Sequence, residues 1–190
     1  MKITTFLMAT LCIGFLSMQS CSNSGNKEDA KKEADSTNKE IKAIDNDDSR
    51  FMTEAASGGM MEVKAGQIAV QRGASKDVTA FGQQMIDDHS KANAELKDLA
   101  TRKNVVLPDS MSNDDMKNID KLNKASDKDF DKTYINMMVD DHKKDVAAFQ
   151  KVVDNPKDAD VKSWAANTLP TLQHHLEMAK MDKDNLDKKK

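Results

Sequence analysis

Two stretches decide the fold of this chain: residues 81–96, FGQQMIDDHSKANAEL, and residues 134–149, YINMMVDDHKKDVAAF. Aligned without a gap, both carry Met, then Ile or Val, then Asp-Asp-His, with a Lys two residues beyond the His. Residues four apart share one face of an α-helix, so Met85 lies with His89 and Met138 with His142. The same faces continue through Phe81, Ala92 and Leu96 in the first stretch, and through Ile135, Val146 and Phe149 in the second. Each histidine is thus set inside an apolar stripe. The pattern predicts an all-α protein, a helical bundle with a polar centre.

Working outward from these stretches, a helix is expected over 49–72, capped by Asp48 or Ser49. Its inner stripe is Phe51, Ala55, Gly58, Gly59, Glu62, Ala65, Gly66 and Ala69. Glycine costs helix stability, so a stripe this small predicts close approach of a neighbouring helix. Gly73-Ala74-Ser75 reads as a helix stop, a short turn and a new N-cap. The next helix, 76–103, contains the first motif and runs antiparallel to its predecessor. Residues 104–127 form a long connection broken by Pro108, with a short helix over 114–124 built on Met116, Ile119 and Leu122. That length suffices to cross the end of a bundle. The second motif lies in a helix over 127–153, capped by Ser126 or Asp127 and ended by Asn155-Pro156. A last helix, 159–181, presents Trp164, Leu169, Leu172, His175 and Ala179, with Pro170 expected to kink or split it; residues 182–190 should fray.

At 190 residues the chain has room for one domain plus extensions. Lys and Arg number 29 against 32 Asp and Glu, for a net charge of −3 with both signs mixed along the chain. No basic face dominates, which excludes nucleic acid as the expected partner. The two cysteines are Cys12 and Cys21, so beyond Cys21 there is neither a disulfide framework nor a thiolate metal site. Site chemistry falls to His, carboxylates, Met and Tyr. No phosphate loop, nucleophile elbow or redox cysteine pair occurs.

Residues 1–20 read as an export signal: Lys2 supplies the positive start, and an interrupted apolar run too short for a membrane span follows. Ser20-Cys21 resembles a bacterial lipoprotein cleavage site, which implies lipidation of Cys21 and a membrane-anchored protein of the cell envelope, facing periplasm or exterior. An ordinary secretory signal with an incidental cysteine is the plainer reading. Residues 21–48 hold Ile41 and Ile44 as their large apolar side chains and read as a disordered tether, with helix-forming composition over 27–43. As a flexible coil it would span about 30 Å.

Four polar residues fall on the inner stripes, one per long helix: Glu62, His89, His142 and His175. Counted from Ser75, Glu62 lies 13 residues back and His89 lies 14 on, nearly level. Counted from Pro156, His142 lies 14 back and His175 lies 19 on, an offset of ~7 Å at ~1.5 Å per residue. A carboxylate and three imidazoles suit one divalent ion, Zn²⁺, Fe²⁺, Mn²⁺ or Cu²⁺. The other reading is a metal-free polar layer that fixes helix register. Met85, Met138 and Met178, one turn from the histidines, would suit Cu(I), against plain core packing. His174 is expected on the outside. Asp88 and Asp141 point about 100° away from the histidines they precede, towards solvent or an outer role. Tyr134 is expected to pack, or to hydrogen-bond, in the core. The Glu-x-x-His pairs of di-iron bundles are missing, since Ile86, Val139 and Leu172 stand three before the histidines; this argues for a single ion.

Taken together, Ser57-Gly58-Gly59-Met60-Met61-Glu62, the run from Met85 to His89, Phe130 to Tyr134 leading to His142, and Leu169-Pro170-Thr171-Leu172 leading to His175 resemble the domain of unknown function 4142 family. The resemblance covers 51–181. It implies a ferritin-like up-down four-helix bundle, with a long connection carrying a short extra helix, set behind an export or lipoprotein signal. The family's activity is not established. Three classes therefore stand open: a metal-binding module, a mononuclear metal oxidoreductase, and a structural or stress-related envelope protein.

Overall fold

The computed structural model describes residues 29–188. Among them are six α-helices and no strand: α1 Ala30–Ile41, α2 Asn46–Arg72, α3 Lys76–Lys103, α4 Asn113–Lys124, α5 Asp127–Asp154 and α6 Ala159–Lys188. The four long helices form the bundle. α2 packs on α3 and α5, and α6 packs on α5 and α3, so α3 and α5 stand diagonally opposed.

The α2–α3 hairpin is close because glycines meet. A Cβ on Gly66 would lie 2.6 Å from the Gly82 carbonyl, and one on Gly82 would lie 2.9 Å from the Ala69 methyl. Ser75 caps α3 by accepting from the Asp77 amide, and Asp131 accepts from the Ala74 and Ser75 amides in the turn. At the far end Phe51, early in α2, meets Phe149, late in α5, at 4.8 Å between ring centroids, and Trp164, early in α6, at 5.9 Å. α2 and α6 therefore run one way, and α3 and α5 the other.

That directionality requires the α3–α5 connection to return the whole length of the bundle. It does not merely cross the end, as its length alone suggested. The Ser112 amide donates to Ser57 Oγ midway along α2. At the end of α2, Arg72 donates to the carbonyls of Leu122 and Ala125 and to Asp127, with its guanidinium 4.6 Å from the Phe130 ring. α4 thus lies along α2, in the same direction.

The stretch read as a tether is ordered where it is described. α1 docks on α2 through small and polar groups, which is why a scarcity of large apolar residues misled. Ala34 and Asn38 are buried. The Asn38 amide donates to the Val106 carbonyl at 2.8 Å and accepts from its N–H at 2.7 Å. Asp29 caps α1 and also accepts from the Asn113 amide. The expected signal at 1–20, Cys21 and residues up to 28 lie outside the described residues.

Two further boundaries moved. α2 starts earlier, capped by Asp45, which frees Asp48 to accept from the Asp158 amide in the α5–α6 loop. α6 is neither split at Pro170 nor frayed after 181. Pro170 and Ala166, whose carbonyl loses its helical donor to the proline ring, are both exposed, so water replaces the bond. The last turns are held by Leu186 against the core and by Lys132 on Asp187.

The core divides in two. One apolar cluster gathers Met61, Met85, Met138, Phe81, Phe130 and Tyr134. The other gathers Phe51, Phe149, Trp164, Leu96, Leu99 and Leu172. Between them lies a polar layer.

Candidate metal centre

Each long helix contributes one residue to the layer, and the structure brings all four sequence-predicted residues together. Glu62 is 3% exposed, His89 5%, and His142 and His175 0%. The ~7 Å offset counted for His175 disappears because helical side chains lean towards their own N-terminus. His142 therefore leans away from the α5–α6 loop while His175 leans towards it. The rings of His89, His142 and His175 form a nearly regular triangle with centroids 5.6, 5.3 and 5.3 Å apart.

The hydrogen bonds fix the protons. His142 Nδ1 lies 3.1 Å from the Met138 carbonyl. A carbonyl only accepts, so Nδ1 carries the hydrogen of a neutral ring and Nε2 is bare. His175 Nε2 donates to the Asp88 carboxylate at 2.9 Å, so its Nδ1 is bare as well. These two bare nitrogens face each other at 3.3 Å. His89 Nδ1 shares a proton with Glu62 Oε2 at 2.7 Å. Glu62 Oε1 lies 3.5 Å from His142 Nε2. Glu62 Oε1 and His89 Nε2 have no hydrogen-bond partner among the described residues.

Burial keeps the layer neutral. It pulls His89 down to about 4, against the pull of Asp88 and Asp141. It holds His142 well below the usual imidazole range, reinforced by its two histidine neighbours, and lowers His175 despite the bond to Asp88. Burial likewise pushes Glu62 well above the carboxylate range, with the charge of Asp141 adding to it. Neither an imidazolium nor a carboxylate is at home there without a partner charge.

Two functional neighbours were missed or misjudged from sequence. Asp145 was not singled out. It sits three residues after His142, and one ligand atom each from Glu62, His142 and Asp145 lie within 4.8 Å of one another. The His-x-x-Asp spacing on α5 was the available signal. Asp88, expected towards solvent or an outer role, takes the outer one, on a histidine of α6. Asp141 is half-buried, and its Oδ2 has no partner among the described residues. Burial pushes both Asp141 and Asp145 upward, and Glu62 adds its charge on Asp145. His174 is exposed, as expected. Met85 and Met138 are fully buried and Met178 partly so, all in the apolar cluster, which favours packing over copper. Tyr134 packs against Phe130 and Phe81, and its hydroxyl has no partner among the described residues.

The molecule is thus an all-helical bundle whose core holds a buried His/Glu group able to hold a metal ion, with ligand atoms of the three histidines within 4.8 Å of one another. The chain belongs to the family described as Domain of unknown function (DUF4142), which matches residues 27–181. In fold it is similar to a crystal structure of a DUF305 fragment from Deinococcus radiodurans, at 9% identity and a TM-score of 0.66, over 75% of this chain and 98% of that one. No curated protein matches.

Proposed function

We propose that the polar layer binds a divalent transition-metal ion through His89, His142 and His175, with Glu62 as the fourth ligand, in a ferritin-like bundle that is exported and lipid-anchored through Cys21. One observation carries the metal: two bare imidazole nitrogens face each other in a buried core, with their own protons committed outward. Without a cation, two lone pairs meet at 3.3 Å. With one, the spacing is natural. Ligand bonds of ~2.0–2.1 Å at tetrahedral angles set ligand atoms ~3.3–3.4 Å apart, against 3.3 Å for His142–His175 and 3.5 Å for His142–Glu62. The outward bonds to Met138 and Asp88 are the kind that orient metal-ligating histidines. Three imidazoles and a carboxylate fit Zn²⁺, Fe²⁺, Mn²⁺ or Cu²⁺.

The experiment is elemental analysis of the purified protein, followed by titration of the metal-free form with these ions. Tight uptake in wild type, lost in His142→Ala, is expected; no uptake from any of them overturns the reading. A metal-free polar layer is the competing account, supported by the Glu62–His89 and Asp88–His175 bonds, which already satisfy part of it. Export rests on the signal read over residues 1–20 and anchoring on Ser20-Cys21; Cys21→Ala with unchanged membrane fractionation would remove the lipid anchor.

A further inference from the structure

We infer that a second divalent cation binds beside the first, between Glu62 and Asp145. The inference rests on the metal reading above and concerns what that reading leaves over. Three imidazoles and Glu62 complete one ion, yet α5 also sets the half-buried Asp145 against them. Its Oδ2 has no hydrogen-bond partner among the described residues, nor does Glu62 Oε1. A buried carboxylate oxygen without a partner is costly, and these two, within hydrogen-bonding reach of each other, are satisfied either by one shared proton or by a cation that displaces it. Among the described residues the ion pairs of Glu62 run to His89 and His142, and none joins a lysine or arginine to either carboxylate.

Space for that charge exists. A void of about 20 Å³ is bordered by Gly58, Glu62, His89, Asn93, Asp145 and Trp164. That is room for one ion or one water. Its other walls are mostly apolar, Phe149 and Leu172 among them; the Thr168 hydroxyl is committed to the Trp164 carbonyl, and the Trp164 indole N–H has no partner among the described residues. Gly58 keeps it open: a Cβ there would meet nothing within 4 Å, so this glycine faces space where a close helix was expected. The Glu62, His142 and Asp145 ligand atoms lie within 4.8 Å of one another, so the two positions adjoin at Glu62; the one bare nitrogen of His142 serves the first ion, since its Nδ1 is held by the Met138 carbonyl. Two carboxylates and the Asn93 amide form an oxygen-rich set, unlike the imidazole triangle. It favours a harder ion such as Mn²⁺ or Fe²⁺, while the triangle suits Zn²⁺.

The test is metal stoichiometry by equilibrium dialysis of the whole chain against Zn²⁺ and Mn²⁺, with elemental analysis of the bound fraction. Wild type is expected to hold two ions per chain. Asp145→Asn, which keeps the shape and removes the charge, should hold one, as should Gly58→Val, which places a side chain in the void. Saturation of wild type at one ion overturns this inference and leaves the first site standing; so does retention of two ions in Asp145→Asn. No uptake at all overturns both.

Discussion

The two Met-x-Asp-Asp-His copies are nearly the same sequence in different employment. On α5 the histidine is sealed. His142 is 0% exposed and turns one nitrogen to its own helix at Met138. The aspartate before it is half-buried with its Oδ2 unpartnered among the described residues, and the residue three after it, Asp145, adds a carboxyl to the layer. On α3 the histidine is held from another helix by Glu62. Its preceding aspartate, Asp88, reaches out to His175 on α6, and Ala92 stands where α5 has Asp145. A motif fixes which residues share a face; the neighbouring helices decide what each one does.

The strongest break of this comparison is between the histidines themselves. His142→Ala should abolish uptake at the imidazole triangle, where its Nε2 faces both His175 Nδ1 and Glu62 Oε1. His89→Ala should leave an ion at the Glu62–Asp145 side. Competition with a chromophoric chelator reads both. Next come the aspartates. Asp88→Ala frees the His175 ring and should weaken affinity by about 10–100-fold, the usual cost of an outer-shell partner. Asp141→Ala, in the matching position on α5, should change affinity at the His89–His142–His175 triangle only a few-fold. Equal losses would erase the distinction drawn here.

A third contrast is in pH. Burial pulls His89 down to about 4 in the folded chain, against about 6.5 for a free imidazole, so between those limits the unfolded chain binds more protons and stability falls as pH falls. Asp141 is raised from 3.8, so the folded chain holds its proton longer, and that contribution is gained as pH falls and lost as pH rises. Over their common range the two slopes oppose. Asp141→Asn removes one, and metal-free protein should then lose stability more steeply on acidification below 6.5, by up to about 1.4 kcal/mol per pH unit. Urea unfolding at a series of pH values measures it, and an unchanged slope would show that the two groups are not balanced. Smallest are the shared lysines. Lys91→Ala and Lys144→Ala, both on exposed positions, should each shift stability by less than about 0.5 kcal/mol and leave metal content alone.

The sequence was legible where helical periodicity applies. Glu62, His89, His142 and His175 each lie on a stripe four residues deep, and a stripe finds the core without knowledge of the partner. The roles of Asp88 and Asp145 were not legible in the same way. Asp88 acts on a residue 87 positions distant, and that pairing exists only once α3 and α6 are packed. Asp145 looked like an ordinary charged helix residue because its void depends on glycines of another helix. α1 escaped for a related reason. Its docking rests on one amide that pairs with the Val106 backbone 68 residues away, not on a stripe of large side chains. The Gly66–Gly82 crossing was foreseen, but Gly58 marks a gap instead, and composition alone does not tell the two uses of glycine apart.

The direction of the helices bears on where the repeated motif came from. Tandem duplication of a helical hairpin would map α2 onto α5 and α3 onto α6, and would place the second copy of the α3 motif on α6. It lies on α5, diagonally across the bundle and parallel to α3. A rotation about the bundle axis, not a shift along the gene, relates the two copies. In two parallel helices facing one centre, the same residue order sets each methionine one turn to the same side of the layer, and both Met85 and Met138 do lie in the same apolar cluster. The likeness of the two stretches then records a shared geometric demand, met twice, and need not record a common ancestor segment.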